Sequence, residues 1–223
     1  MKEILNRVLF VIYIMALVAI FASLCNDKEP SNESNETETV TTHDYSLEAN
    51  IDTILKLKKS TWKKLDQTQR LEVLYAIADY ELVTYHGCIM HDYTIKISSI
   101  SDKGITGSCN YSTKTITIDT ARLQGDDSRK ALSTLLHELT HLVQNRYAEI
   151  YESLSEEDKQ LALFKDAATY SYELNNYISA GNNGYSSQLC EIEAKECAKQ
   201  RTDYYFSLID EYSKKTGKNK SKK

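Results

Sequence analysis

The residues best suited to bind a metal or take part in a reaction lie in one short segment, His137-Glu138-Leu139-Thr140-His141. If the segment is helical, residues four apart lie one turn above each other, so both imidazoles can offer a nitrogen to one metal ion. Zn²⁺ suits such nitrogens, which bind it at about 2.0 to 2.1 Å. Glu138 is rotated by about 100° from His137, so it lies beside the metal without binding it. From there its carboxylate can exchange protons with a water that the metal activates.

The helix that must position these residues is predicted from the spacing of apolar side chains. Asp126, Asp127 and Ser128 are suited to begin a helix, and the pattern continues to about Ile150. Both histidines lie off the apolar stripe, so we expect one face of the helix to meet the core and another to face a cleft. The stripe consists of Leu132, Leu135, Leu136, Leu139, Leu142 and Val143.

A catalytic zinc site needs a third protein ligand, and no histidine follows His141 in the chain. The remaining ligand types are carboxylate and thiolate. A predicted helix near the C-terminus offers both types, and the cysteines could equally be small buried hydrophobic residues. Its candidates are Cys190, Glu191, Glu193, Glu196 and Cys197.

The HExxH segment and the order of elements around it, over roughly residues 46–212, resemble the zincin metallopeptidases. The helix with Glu193 resembles the glutamate helix of gluzincins, in which a Glu directly before Ala often binds the metal. The resemblance implies Zn²⁺ held by His137, His141 and Glu193, with Glu138 as general base and then general acid. Cys197 departs from the pattern, because other gluzincins carry Asp there.

Two further features carry the same resemblance. Gln144 follows three residues after His141, as it does in many small bacterial zincins. The predicted strand at residues 115–120 resembles the edge strand that pairs with an extended substrate in zincins. Donors to a transition state are less defined, and Tyr185, Tyr204, His91 and His86 are the candidates.

Periodicity predicts an α+β fold, with a small, mostly antiparallel sheet packed on the HExxH helix and a helical C-terminal half. The resemblance implies that this fold is zincin-like. Helices are predicted at residues 47–59, 66–86, 156–178 and 190–212, and Asp66 with Gln69 can form a capping box. Strands are predicted at residues 93–100 and 113–120, with a third between Gly104 and Tyr111. Cys88 and Cys109 flank these strands and form a plausible disulfide.

The N-terminus carries a targeting or anchoring signal. Lys2 and Arg7 precede an apolar run over residues 8–25, so residues 1–25 are interpreted as a signal peptide or a membrane anchor. Residues 22–25 resemble a bacterial lipobox with Cys25 as the lipidated residue, although Leu24 departs from that pattern. The charges flanking the run predict that the rest of the chain lies outside the cytoplasm.

The remaining segments follow from composition. Residues 26–45 are polar and are predicted to be a disordered stalk, and residues 214–223 are a lysine-rich tail. The resemblance implies that residues 46–213, between them, are a zinc metallopeptidase domain. The chain of 223 residues has 27 basic and 32 acidic residues, for a net charge of −5. That balance argues against a nucleic-acid partner.

The expected function is that of a membrane-tethered, extracytoplasmic zinc endopeptidase acting on a peptide or protein substrate, or a secreted one if the signal is cleaved. The membrane is contacted through the N-terminal segment, and the oligomeric state stays open. One alternative is a catalytically silent zincin-fold surface lipoprotein that acts as a binding or structural module. Another is an anchored scaffold in which the HExxH pattern arose by chance.

Overall fold

The structure, a computed structural model, describes residues 44–102 and 104–220. The chain divides into residues 1–44 and a compact unit of residues 45–223. The predicted signal peptide or anchor, lipidation at Cys25 and the polar stalk, Asp44 and Tyr45 apart, lie outside the described residues. Within the two described ranges, no helix combines the length and the apolar character needed to cross a bilayer.

The described residues form seven α-helices and one three-stranded sheet, so the predicted α+β class is confirmed. The helical C-terminal half is also present, because helices follow the sheet to the end of the described chain. The elements are α1 Leu47–Leu55, α2 Lys59–Trp62, α3 Gln67–Thr84, β1 Thr94–Ser98, β2 Gly107–Asn110, β3 Thr115–Asp119, α4 Thr120–Gln124, α5 Ser128–Ser153, α6 Lys165–Asn175 and α7 Leu189–Lys220.

The region before the sheet differs from prediction at one point. The single helix expected at residues 47–59 ends at Leu55, and α2 follows it. Leu57 lies between these two helices and Trp62 is the last residue of the second, and both side chains are fully buried. Burying both requires the chain to turn between them. The predicted capping box of α3 is confirmed: Asp66 Oδ1 accepts from Gln69 N–H at 2.9 Å, and Gln69 Oε1 accepts from Asp66 N–H at 3.0 Å.

The sheet has the strand order β1-β3-β2. β2 and β3 form an antiparallel hairpin, which confirms the third strand, but β1 pairs with β3 in parallel. The prediction of a mostly antiparallel sheet is therefore wrong, because β1 joins the far edge of β3 and only β2 reaches it through a tight turn. The Tyr75 hydroxyl accepts from Ile95 N–H at 2.5 Å, so a side chain from α3 occupies that edge of β1.

Helix α5 is the central element, and its apolar stripe is buried as predicted. The six stripe residues are at most 2 % exposed. Asp127 caps the helix, since its carboxylate accepts from Arg129 N–H at 3.1 Å. The helix therefore has the predicted start and runs three residues further than predicted, to Ser153.

Helix α7 runs antiparallel to α5 and lies against it. Arg129, near the start of α5, pairs with Asp203. Gln144, about four turns further along α5, bonds to the carbonyl of Cys190 near the start of α7. The helix predicted over residues 156–178 is shorter than expected: two 3₁₀ turns, Asp158–Gln160 and Ala162–Phe164, precede α6. α7 itself extends beyond the predicted residue 212 to Lys220, through the first part of the lysine-rich tail.

The four cysteines of the described residues are free thiols, and the suggested bond between Cys88 and Cys109 is not present. Both side chains are half-buried and pack against the hydrophobic core, so each fills space as a small apolar group. Burial raises the pKa of the Cys109 thiol to about 12, with the Glu138 carboxylate adding to the effect. The thiol is therefore protonated at neutral pH.

Candidate metal centre

Two helices bring three ligand side chains to one point. On α5, His137 Nε2 and His141 Nε2 face each other at 3.2 Å. On α7, Glu191 presents one carboxylate oxygen to each ring, at 3.3 Å from His141 Nε2 and 3.6 Å from His137 Nε2. These donor atoms form a cluster within 4.8 Å of one another. Among the described residues, these are the three metal-ligating side chains whose donor atoms lie close enough together to share one ion.

The spacing of these atoms fits a tetrahedral metal ion. Ligands at about 2.0 to 2.1 Å from Zn²⁺ in tetrahedral directions are about 3.3 Å from each other. The two nitrogens at 3.2 Å, and His141 Nε2 with Glu191 Oε1 at 3.3 Å, lie at that value, whereas the 3.6 Å distance to His137 Nε2 is made by the other carboxylate oxygen, Oε2. Two nitrogens and one carboxylate are also the ligand types of a catalytic zinc site that keeps its fourth position open. His137, His141 and Glu191 therefore fit the ion that the sequence predicts.

The third member of this cluster is Glu191, and not Glu193 as expected. Residues two apart on a helix point about 200° apart, so only one of these two side chains can face α5 at this position. Glu191 is 5 % exposed and faces the histidines, whereas Glu193 accepts from the Tyr170 hydroxyl at 2.6 Å. The correction follows from the rotation of α7, whose first N–H groups are capped by Glu173.

The sequence did contain a signal for Glu191. Ala194, Ala198 and Thr202 follow it at i+3, i+7 and i+11 and are at most 4 % exposed, so they form the face that packs against α5. Small residues let two helix backbones approach closely. A glutamate at the start of such a face is directed at the neighbouring helix, and Glu193 lies off it.

Gln144 orients one of the imidazoles. Its Nε2 donates to the Cys190 carbonyl at 3.1 Å and to Glu193 Oε2 at 3.4 Å. The amide oxygen is left to accept from His141 Nδ1 at 2.9 Å. The Nδ1–H tautomer is thereby fixed, so the Nε2 lone pair faces the cluster. Glu193 therefore reaches the cluster only indirectly, because it contacts Gln144, which contacts His141.

Glu138 lies beside the cluster with 7 % exposure. Burial raises the pKa of its carboxyl to about 7, against the opposing effect of His137 and with a further contribution from Glu191. A Cβ atom at Gly107 would lie 2.8 Å from Glu138 Oε1 and 2.6 Å from Thr134 Cγ2. The glycine therefore allows β2 to lie directly against the carboxylate.

The cluster opens into a cleft of about 1100 Å³. One wall is β2, and another is the loop after α6 with Ser179 and Gly181. The substrate-pairing edge was expected at residues 115–120, but β3 is the central strand and is paired on both sides. The sheet edge that lines the cleft is β2, which contributes Gly107, Ser108 and Cys109.

Two tyrosines lie at the mouth of the site. Tyr177 donates to Glu191 Oε1 at 2.5 Å, and Tyr185 also lines the cleft. Burial, followed by the hydrogen bond to Glu191, raises the pKa of both phenols well above the usual value. Of the suggested donors, Tyr185 is therefore near the cluster, and Tyr177 is a neighbour that sequence reasoning missed.

The other suggested donors do not line the cleft. Tyr204 packs beneath the Arg201 guanidinium, whose central carbon is 4.1 Å from the ring centre. Burial lowers the pKa of His86 to about 4, and His91 is exposed elsewhere on the surface. Cys190 and Cys197 are buried, and Glu196 bonds to Gln200 on the solvent side of α7.

No family model, curated protein or solved structure matches this chain.

Proposed function

We propose that this protein is a zinc-dependent endopeptidase of the zincin type, with Zn²⁺ held by His137, His141 and Glu191. The observation that carries the proposal is the convergence of two Nε2 atoms and one carboxylate within 4.8 Å of one another, with Glu138 buried beside them. A purely structural helix contact has no need of an open cleft at that point. Here the three ligands lie in the wall of one.

When bound, the zinc ion supplies Lewis acidity toward a peptide carbonyl and lowers the pKa of a water molecule. Glu138 is the residue that moves protons: its carboxylate takes one from the attacking water and its carboxylic acid gives one to the departing amine. Gly107 keeps β2 close enough to limit the positions that the Glu138 side chain can adopt.

The cleft also offers groups that can hold a substrate. β2 is an edge strand, and an extended peptide can add to such an edge through main-chain hydrogen bonds. The hydroxyls of Tyr177 and Tyr185 are hydrogen-bonded to Glu191, and either can donate to an oxygen that gains charge during the reaction only by turning its proton away from that carboxylate. The substrate class that follows is a peptide or an unfolded segment of a protein.

The cellular location stays a prediction from the sequence: the extracytoplasmic face of a membrane, with the chain held there by its N-terminal segment. The alternative of a surface lipoprotein with a zinc site but no turnover also stays open. It differs in one measurable respect, because it binds the metal and cleaves nothing.

The test is Glu138→Gln, measured for zinc content and for hydrolysis of a quenched-fluorescent peptide library. We expect zinc to be retained and kcat/KM to fall by about 10²- to 10⁴-fold, because the proton carrier is lost and the ligands are not. Glu149→Gln is the matched control, since Glu149 is an exposed glutamate on the same helix. Undiminished hydrolysis in Glu138→Gln contradicts the mechanism, and zinc without hydrolysis in the wild type favours the silent lipoprotein.

A further inference from the structure

The cleft has an uneven distribution of charge that the reaction does not use. Glu138 and Glu191 lie at the metal centre, and the rest of the lining has one acid, Asp203. Five basic residues line that remainder. They are Arg122, Arg129, Lys130, Lys195 and Lys199.

This basic wall, defined by those five residues, runs against the charge of the whole chain. The chain carries a net charge of −5, with 32 acids to 27 basic residues. Arg129 is neutralised by Asp203 at 2.8 Å. Within the described residues no ion pair involves the other four, so the cleft has a local excess of positive charge.

Helix stability alone does not account for the two lysines on α7. Lys195 and Lys199 are four residues apart, a spacing at which like charges repel. Glu191 precedes Lys195 by four residues and would usually be its partner. Its oxygens instead face His137, His141 and Tyr177. Lys195 is thereby left one helical turn from a metal ligand, with its charge available to the cleft.

The same wall contains a polar group without a partner. Thr202 is 4 % exposed and lines the cleft, and its buried Oγ1 atom has no hydrogen-bond partner among the described residues. Buried hydroxyls are nearly always satisfied in folded proteins. Because that oxygen is itself buried, a group that enters the cleft on this side meets the cationic surface and not this hydroxyl.

We propose that the cleft selects peptides with acidic side chains about two to four residues from the bond that is cut, paired with Lys130, Lys195 and Lys199. The distance follows from the helices. Lys195 and Lys199 are one and two turns from Glu191, about 6 and 12 Å along the axis, and an extended peptide advances about 3.3 Å per residue. This inference rests on the proposed function, because it names the substrate class of the same cleft.

The test measures binding and cleavage separately. Two fluorescent peptides of about twelve residues share an Ala-Leu centre and differ by three Glu or three Gln on one side of it, and a second pair has the substitutions on the other side. Binding is measured by anisotropy to the full-length Glu138→Gln protein with zinc, and cleavage with the wild type. On one side we expect the Glu peptide to bind about tenfold more tightly, because three exposed ion pairs add, and salt to reduce the difference.

Charge variants assign the effect to the basic wall. Lys195→Gln with Lys199→Gln should remove most of the preference, and Lys195→Glu with Lys199→Glu should reverse it. The control is Lys56→Glu with Lys64→Glu, an equal change at exposed lysines outside the cleft, which should keep the preference. Circular dichroism checks that each variant is folded.

The outcomes separate the two proposals. Equal affinity for the Glu and Gln peptides on both sides, no binding of any peptide, or a control that behaves like the cleft variants contradicts the inference. Cleavage of both peptides with equal kcat/KM does the same and leaves the endopeptidase proposal standing. An acid preference in binding without any hydrolysis by the wild type supports the inference and contradicts the endopeptidase.

Discussion

Two buried glutamates illustrate how differently a carboxylate can be neutralised in this protein. Glu81 on α3 is fully buried and is paired with Arg201 on α7, whose Nε and a terminal nitrogen lie 2.6 to 3.0 Å from its oxygens. Tyr205 donates to the same carboxylate at 2.6 Å. Glu191 is nearly as buried and also accepts from a tyrosine, but its other neighbours are two imidazoles.

The difference lies in the source of positive charge. A guanidinium is always protonated, so Glu81 has a complete set of partners within the protein. Burial lowers the pKa of Arg201, but the hydrogen bond and the charge of Glu81 outweigh that effect and raise it. An imidazole carries charge only when protonated, and Gln144 directs a lone pair of His141 toward Glu191. Burial of Glu191 opposes its ionisation, yet when the two imidazoles are protonated their hydrogen bonds outweigh burial and hold the pKa of Glu191 well below the usual value. The first carboxylate stabilises the fold, and the second belongs to the donor set that we propose for a divalent cation.

The largest expected effect is on the structural carboxylate. Glu81→Ala leaves the Arg201 guanidinium, whose side chain is 15 % exposed, without its partner. We expect the free energy of unfolding to fall by about 3 to 5 kcal/mol, because an uncompensated buried charge remains. Urea unfolding of the zinc-free protein measures this. Glu81→Leu combined with Arg201→Met should recover most of the loss, and failure to recover would indicate that Glu81 has another role.

Removal of zinc from the site around Glu191 should lower the free energy of unfolding by a comparable amount. At free zinc about 100 to 1000 times Kd, binding stabilises the folded state by about 3 to 4 kcal/mol, or about 10 °C in Tm. Thermal unfolding with zinc and with a chelator measures the shift. It should vanish in Glu191→Gln and persist in exposed Glu149→Gln. A Tm that zinc does not change in the wild type contradicts the assignment of the donor set.

A smaller effect, on zinc affinity, is expected for Gln144, which contacts His141 without reaching the metal position. Gln144→Ala removes the acceptor of His141 Nδ1–H, and we expect zinc affinity to fall about 10- to 100-fold. Competition with a chromophoric chelator measures the affinity. The Tyr170 hydroxyl contacts Glu193 and reaches His141 only through Gln144, so Tyr170→Phe should cause a smaller loss of zinc affinity. Equal losses in the two variants would show that the chain of hydrogen bonds does not orient the ring.

The smallest effect concerns pH and the region around Arg201. Burial, followed by repulsion from Arg201, lowers the pKa of His86 from the ordinary 6.5 to about 4. The unfolded chain therefore binds a proton that the folded chain refuses, so stability is full above pH 6.5 and falls as pH drops toward 4. Between pH 6.5 and 5 we expect a loss of about 1.5 kcal/mol with chelator present. His86→Gln should flatten this part of the profile, and exposed His91→Gln should not.

The sequence predicted those features that depend on local spacing. The capping box of α3, the apolar stripe of α5 and the approach of His137 to His141 each follow from residues within two turns of one helix. Features that depend on how separate elements meet were predicted less well. The parallel pairing of β1 with β3 depends on a crossover, and the choice of Glu191 over Glu193 depends on the rotation of α7 against α5.

Electrostatic partners were the least predictable feature. Glu81 and Arg201 are 120 residues apart, and nothing in the local pattern of either helix indicates their pairing. Tyr177 was missed for the same reason, because it reaches Glu191 from a loop between two helices. In each case a long side chain crosses between elements whose relative position the sequence pattern does not define.

The central claim is that Glu191, and not Glu193, completes the metal centre with His137 and His141. The most direct measurement is the zinc content of the purified protein, determined by elemental analysis for the wild type, Glu191→Ala and Glu193→Ala side by side. The account predicts one zinc per chain in the wild type and in Glu193→Ala, and none in Glu191→Ala. Zinc that is lost from Glu193→Ala but kept by Glu191→Ala, or a wild type that binds none, would contradict it.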